Sequence, residues 1–76
     1  MNWLRSLFGM STKERLEVVP KDFTHYEING SYNIYWKKDE SGVWLWEGIN
    51  HYWQEMKFID FDKYEKKLIK SNIKGD

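Results

Sequence analysis

Between positions 23 and 47 the chain carries large apolar side chains at odd and even positions alike: Phe23, Tyr26, Ile28, Ile34, Tyr35, Trp36, Val43, Trp44, Leu45 and Trp46. Successive side chains on a strand point to opposite faces, so a half-exposed antiparallel strand alternates apolar with polar. A ribbon built from this stretch has no polar face. Both sides need a cover, or one side meets something outside the ribbon.

Asn29-Gly30 is the strongest short-range signal for a tight type I′ hairpin. With these two as the loop, Ile28 pairs with Ser31, Tyr26 with Asn33 and His25 with Ile34, and Phe23 lies opposite Trp36. Residues 39–42 (Asp-Glu-Ser-Gly) form a second turn, which pairs Trp36 with Leu45 and Tyr35 with Trp46. One face then collects Phe23, Ile34, Trp36, Val43 and Leu45. The other collects Tyr26, Ile28, Tyr35, Trp44 and Trp46. Residues 48–50 make a third break, and residues 51–61 read as a fourth strand, with a short helix over 51–56 as the alternative.

The flanks read as helix. Trp3, Leu4, Leu7 and Phe8 share a face at helical spacing, and Gly9 is a stop. Ser11 and Glu14 have the spacing of a capping box, opening a helical turn over 12–18 that Pro20 ends. Asp62 and Glu65 repeat that spacing. Tyr64, Leu68 and Ile69 then share a face with Phe61, while Lys63, Lys66, Lys67 and Lys70 take the other. The expected fold is α+β. A small antiparallel meander of three to four strands (23–61) carries a C-terminal amphipathic helix (62–73) and a short N-terminal helical segment (1–20), all in one domain, 1–76.

Composition narrows the function. The 76 residues hold 12 Lys plus Arg and 12 Asp plus Glu, and no cysteine, which excludes a disulfide framework and a cysteine zinc site. No apolar run approaches the ~18 residues of a membrane span. Five Trp, five Tyr and four Phe at zero net charge are not the composition of a disordered chain. A domain this short buries only about 60 % of its unfolded surface, so an aromatic core or burial against a partner must compensate. The charge is unevenly placed. Residues 39–62 carry six acidic side chains and one lysine, and the flanking segments are mildly basic.

Signals for catalysis are poor. His25 and Glu27 share a strand face, but no recognised ligand spacing accompanies them or His51, so neither a metal nor another cofactor is expected. Asp39 and Glu40 belong to a turn, Asp62 to a cap, and the serines to caps, turns and termini. No phosphate-cradling glycine loop is present. Tyr32, Tyr35, Trp36, Trp44, Trp46, Tyr52 and Trp53 could stack bases, yet the acidic stretch among them would repel a phosphate backbone. Residues 3–8 are too short, with one cation, to hold a membrane surface.

What remains is a non-enzymatic interaction module. The expected anchors are Tyr35, Trp44, Trp46 and Trp53, with Asp39 and Glu40 steering association. The bias toward Phe, Tyr, Met, Ile, Asn and Lys, all with AT-rich codons, makes the chain similar in type to small accessory proteins of phages and mobile elements. That resemblance implies a host protein as partner, inhibited by the binding, in the cytoplasm of a bacterial host. Self-association is a second expected mode. The alternative is a homo-oligomer that sequesters a nucleotide or nucleobase between aromatics, and the third reading is a single-stranded nucleic-acid binder.

Overall fold

The computed structural model describes residues 9–71. The architecture is α+β. In chain order it runs α1 (Thr12–Leu16), β1 (His25–Asn29), β2 (Tyr32–Asp39), β3 (Gly42–Glu47), β4 (Tyr52–Glu55), α2 (Phe61–Tyr64), a 3-10 turn (Glu65–Lys67) and β5 (Ile69–Lys70). One antiparallel sheet contains all five strands, in the order β4-β3-β2-β1-β5. The helical reading of residues 1–8 lies outside the described residues.

The second hairpin has the expected register, Trp36 opposite Leu45, closed by the pair Asp39–Gly42. Asp39 Oδ1 accepts hydrogen bonds from the Ser41 amide (2.8 Å) and hydroxyl (2.7 Å), which tightens the turn. The first hairpin differs. Asn29 pairs with Tyr32, so Gly30 and Ser31 form the loop rather than Asn29 and Gly30, and His25 faces Trp36. Gly30 alone of the two loop residues has a positive φ, 63°, the pattern of a type II′ turn, whereas I′ needs two. Moving the loop by one residue moves each partner by two. Side chains alternate with period two, so the faces of β1 and β2 survive the shift.

Phe23 is the exception. Thr24 donates its amide to the Trp36 carbonyl at 2.9 Å, while His25 is the registered partner of the same Trp36. Two residues thus oppose one, the arrangement of a β-bulge. The extra residue reverses the alternation, and Phe23 crosses from the expected face to the other, packing on Tyr35 (centroids 4.9 Å) and Tyr26 (6.1 Å).

The C-terminal helix is much shorter than residues 62–73. Its N-cap is Asp60, whose carboxylate accepts from the Lys63 amide, and not Asp62. Helical geometry ends at Lys67, and Ile69–Lys70 pair with Tyr26 and His25 as an edge strand. Glu65, expected to close a capping box, instead reaches His25. Tertiary pairing with the open side of β1 outweighs the local helical pattern here. The fourth strand is likewise confined to Tyr52–Glu55 within the expected 51–61, and it is a strand, not a helix.

The two faces have different covers. Over the first, Phe61 and Tyr64 of α2 lie against Trp36 (5.9 and 5.0 Å between centroids), and Phe61 meets His25 edge-on at 5.1 Å. Trp36 and Phe61, each 4 % exposed, form the core with Tyr35. Over the second face comes the chain from α1 to β1. The Ser11–Glu14 capping box forms as expected, with both reciprocal bonds present. The Arg15 carbonyl meets His51 Nε2 at 2.9 Å, and Arg15 Nη1 donates to the Ile49 carbonyl. Leu16 sits over Gly48, where a Cβ would stand 3.0 Å from its methyl. His51 in turn stacks on Trp46 at 5.6 Å.

Candidate functional site

The second face is only partly covered. Two of its rows run across three strands: Tyr35, Trp46 and Trp53 in one, and Lys37, Trp44 and Glu55 in the next. Phe23 closes over Tyr35, and α1 with His51 closes over Trp46. Lys37, Trp44 and Trp53 are half-buried and Glu55 is exposed. Lys37 extends its ammonium over both indoles, 5.0 Å from the Trp44 ring and 4.9 Å from the Trp53 ring. A cation at that distance from a ring face is attracted by the ring quadrupole. The Trp44 indole leans toward the second turn, 3.4 Å from where a Cβ on Gly42 would be. Trp53 meets Trp46 edge-on at 5.2 Å, so the open pair is braced from below.

Carboxylates rim this patch. Asp39 lies on the same face one row beyond Lys37, Glu55 is registered with Trp44, and Glu40 is exposed in the turn. None of the three holds an ion pair among the described residues. The Ser41 hydroxyl and amide bonds hold the Asp39 carboxyl below the usual carboxylate range, so it stays ionised.

The expected anchors therefore separate. Trp44 and Trp53 lie together and half-open. Trp46 is half-buried beneath His51, its indole N–H enclosed and without a partner. Tyr35 is 6 % exposed and belongs to the core. Sequence reasoning missed Lys37 as part of the site, although the Lys37–Trp44 pair follows from the register it assigned. It also missed Phe58, 98 % exposed in the crossover between β4 and α2. No periodic signal marks a residue in a loop of that kind.

Two other places hold chemistry. Thr24, His25 and Glu65 form a relay. Thr24 Oγ1 accepts from the Lys38 amide at 2.9 Å and lies 2.8 Å from His25 Nδ1, and His25 Nε2 lies 2.8 Å from Glu65 Oε2. Hydroxyl, imidazole and carboxylate in a row suggest nucleophilic catalysis. Here the imidazole is 4 % exposed and packed under Phe61, so substrate has no path to it. The relay satisfies buried polar groups at the bulge. No group of three or more potential metal ligands occurs among the described residues, and none of their helices is long and apolar enough to cross a membrane. The second place is a groove of about 590 Å³ beside β5, lined by Val19, Phe23, Tyr26, Tyr35 and Ile69 among others.

No family model, curated protein or solved structure matches the chain.

Proposed function

We propose that the chain is a non-enzymatic module that binds a protein partner through the open patch of Trp44, Trp53 and Lys37 and its carboxylate rim. The observation that carries this reading is the uneven cover of the sheet. α2 closes one face and the N-terminal connection closes half of the other, and two indoles and a lysine are left half-buried. Aromatic side chains beside charges of both signs are the composition of interface centres. The finer reading, a host protein inhibited by the binding, rests on composition alone. Nucleotide sequestration has less support, because Asp39, Glu40 and Glu55 surround the rings that would stack a base and repel its phosphates.

The test is affinity capture from bacterial lysate, quantified by mass spectrometry, with wild-type protein and with Trp44→Ala plus Trp53→Ala. The expected result is a protein retained by wild type and lost from the double variant, with both proteins folded by near-ultraviolet circular dichroism. Capture that is indifferent to these two indoles would overturn the reading.

A further inference from the structure

The edge of the sheet beside this patch is unpaired among the described residues, where β4 has β3 on one side and no strand on the other. Ladder bonds alternate along an antiparallel strand. The Met56 amide bonds the Val43 carbonyl at 2.8 Å, so the pairs Gln54–Leu45 and Tyr52–Glu47 belong to the bonded set. The amides and carbonyls of Trp53 and Glu55 therefore point outward. Natural edge strands are protected by charged side chains, lysine above all, by proline, by a bulge or by shortness. β5, at the opposite edge, has two residues and one is Lys70, whereas β4 has four, Tyr-Trp-Gln-Glu, with Glu55 as its one charge and no lysine or proline.

Between Lys38 and Lys57 the chain carries charge of one sign, while the ammonium of Lys37 lies over the Trp53 ring. From residue 39 to residue 56 there are four carboxylates, Asp39, Glu40, Glu47 and Glu55, and no lysine or arginine. Pairing β4 with β4 of a second copy would bring two such stretches together. An incoming strand with cations at alternate positions would instead set one beside Glu55, on the face that carries the patch.

Building on the function proposed above, we propose that the partner contributes an extended, alternately basic segment that adds to β4 as a sixth strand. Its main chain bonds Trp53 and Glu55, and a Lys or Arg side chain opposite Glu55 meets that carboxylate. This is recognition by strand addition, in which main-chain bonds supply affinity and alternate side chains supply selectivity.

The probes are capped synthetic peptides of alternating Lys and Val, about seven residues long, slightly over a typical strand, and the matching Glu–Val peptide. Amide hydrogen exchange read by NMR reports the edge. The expected result is slower exchange at the Trp53 and Glu55 amides with the Lys–Val peptide, by about tenfold or more near saturation, and no effect of the Glu–Val peptide. Glu55→Pro, which removes an outward amide and spares the β3–β4 bonds, abolishes that protection. Glu55→Lys keeps the amide, reverses the charge and weakens the peptide by about threefold or more, so the proposal stays testable if the proline variant misfolds. Equal binding of both peptides, binding without protection at these amides, or no binding at millimolar peptide would overturn the proposal. So would protection that rises with protein concentration alone as the mass doubles, since a second copy then fills the edge. Partner capture lost with the two tryptophans but kept in Glu55→Pro leaves the patch reading standing and removes this one; the reverse pattern removes the patch reading alone.

Discussion

His25 Nε2 stands 2.8 Å from Oε2 of Glu65, so the first residue of β1 is bonded to the turn that closes α2, forty positions later. Thr24 Oγ1 already accepts the Lys38 amide, which leaves its hydrogen for His25 Nδ1 and directs the Nε2 proton at Glu65. Glu65→Ala leaves a buried donor unsatisfied and is expected to destabilise by about 1–2 kcal/mol. Glu65→Gln keeps an acceptor and costs less. Urea midpoints at neutral pH rank the two, and equal midpoints would mean the bond contributes nothing.

Tyr64 responds to alkali. Burial raises its phenol pKa, and the nearby Glu27 carboxylate, which accepts its hydroxyl at 3.3 Å, adds to the effect. The folded state therefore holds this proton more tightly than the unfolded one. Its stabilisation is complete below the ordinary tyrosine value of about 10 and is lost as pH climbs through the raised folded value. Phenolate absorbance should show one tyrosine titrating late, and Glu27→Gln should bring it earlier.

Asp39 gives the opposite sign. The Ser41 hydroxyl bond first, and the Ser41 amide bond next, lower its pKa in the folded turn. That contribution is present above the unfolded carboxyl value, about 3.9, and disappears as pH falls through the depressed folded one. Ser41→Ala removes the larger cause, so the Asp39 carboxyl of the variant should titrate at higher pH. NMR shifts across an acid titration measure this directly.

The first turn separates two neighbouring residues. Gly30 has a φ of 63° with no atom within 4 Å of a built Cβ. Gly30→Ala therefore meets only the backbone penalty and should destabilise by about 1 kcal/mol. Asn29 is a strand residue paired with Tyr32, and Asn29→Ala should change stability by less than about 0.5 kcal/mol. A larger effect at Asn29 would place it in the loop.

Trp44 and Tyr35 should also part. Trp44→Ala is expected to weaken partner binding by about 2 kcal/mol while the chain still folds. Tyr35→Ala empties a core position beneath Phe23 and should lower stability by about 3 kcal/mol or more. Calorimetric binding and thermal unfolding, run on both variants, distinguish an anchor from a core residue.

The same contrasts show where the sequence was readable. The Trp36–Leu45 register and the Ser11–Glu14 cap depend on residues close together in the chain, and both are found as expected. Phe23 was misplaced because a bulge leaves no mark in the alternation on either side of it. The final helix was overextended because Leu68 and Ile69 keep helical spacing after Tyr64. What ends it is the unfilled edge of β1, which lies more than forty positions upstream. Of the site, Trp44 and Trp53 were legible as candidate anchors, and both are half-buried. The enclosure of Tyr35 and Trp46 depends on where residues 15–24 cross the sheet, and periodicity cannot carry that information.

The doubled residue opposite Trp36 has a consequence for how the chain can change length. Losing Thr24 would set Phe23 directly before His25 and leave its ring on the Tyr35 face, whereas straightening the bulge with Thr24 kept would send that ring to the helix-covered layer and strip Tyr35 of its lid. Within the ribbon that follows, an odd insertion would exchange the occupants of both layers, whereas gaining or losing residues in twos preserves them. Parity, rather than length, is the quantity this small sheet must conserve.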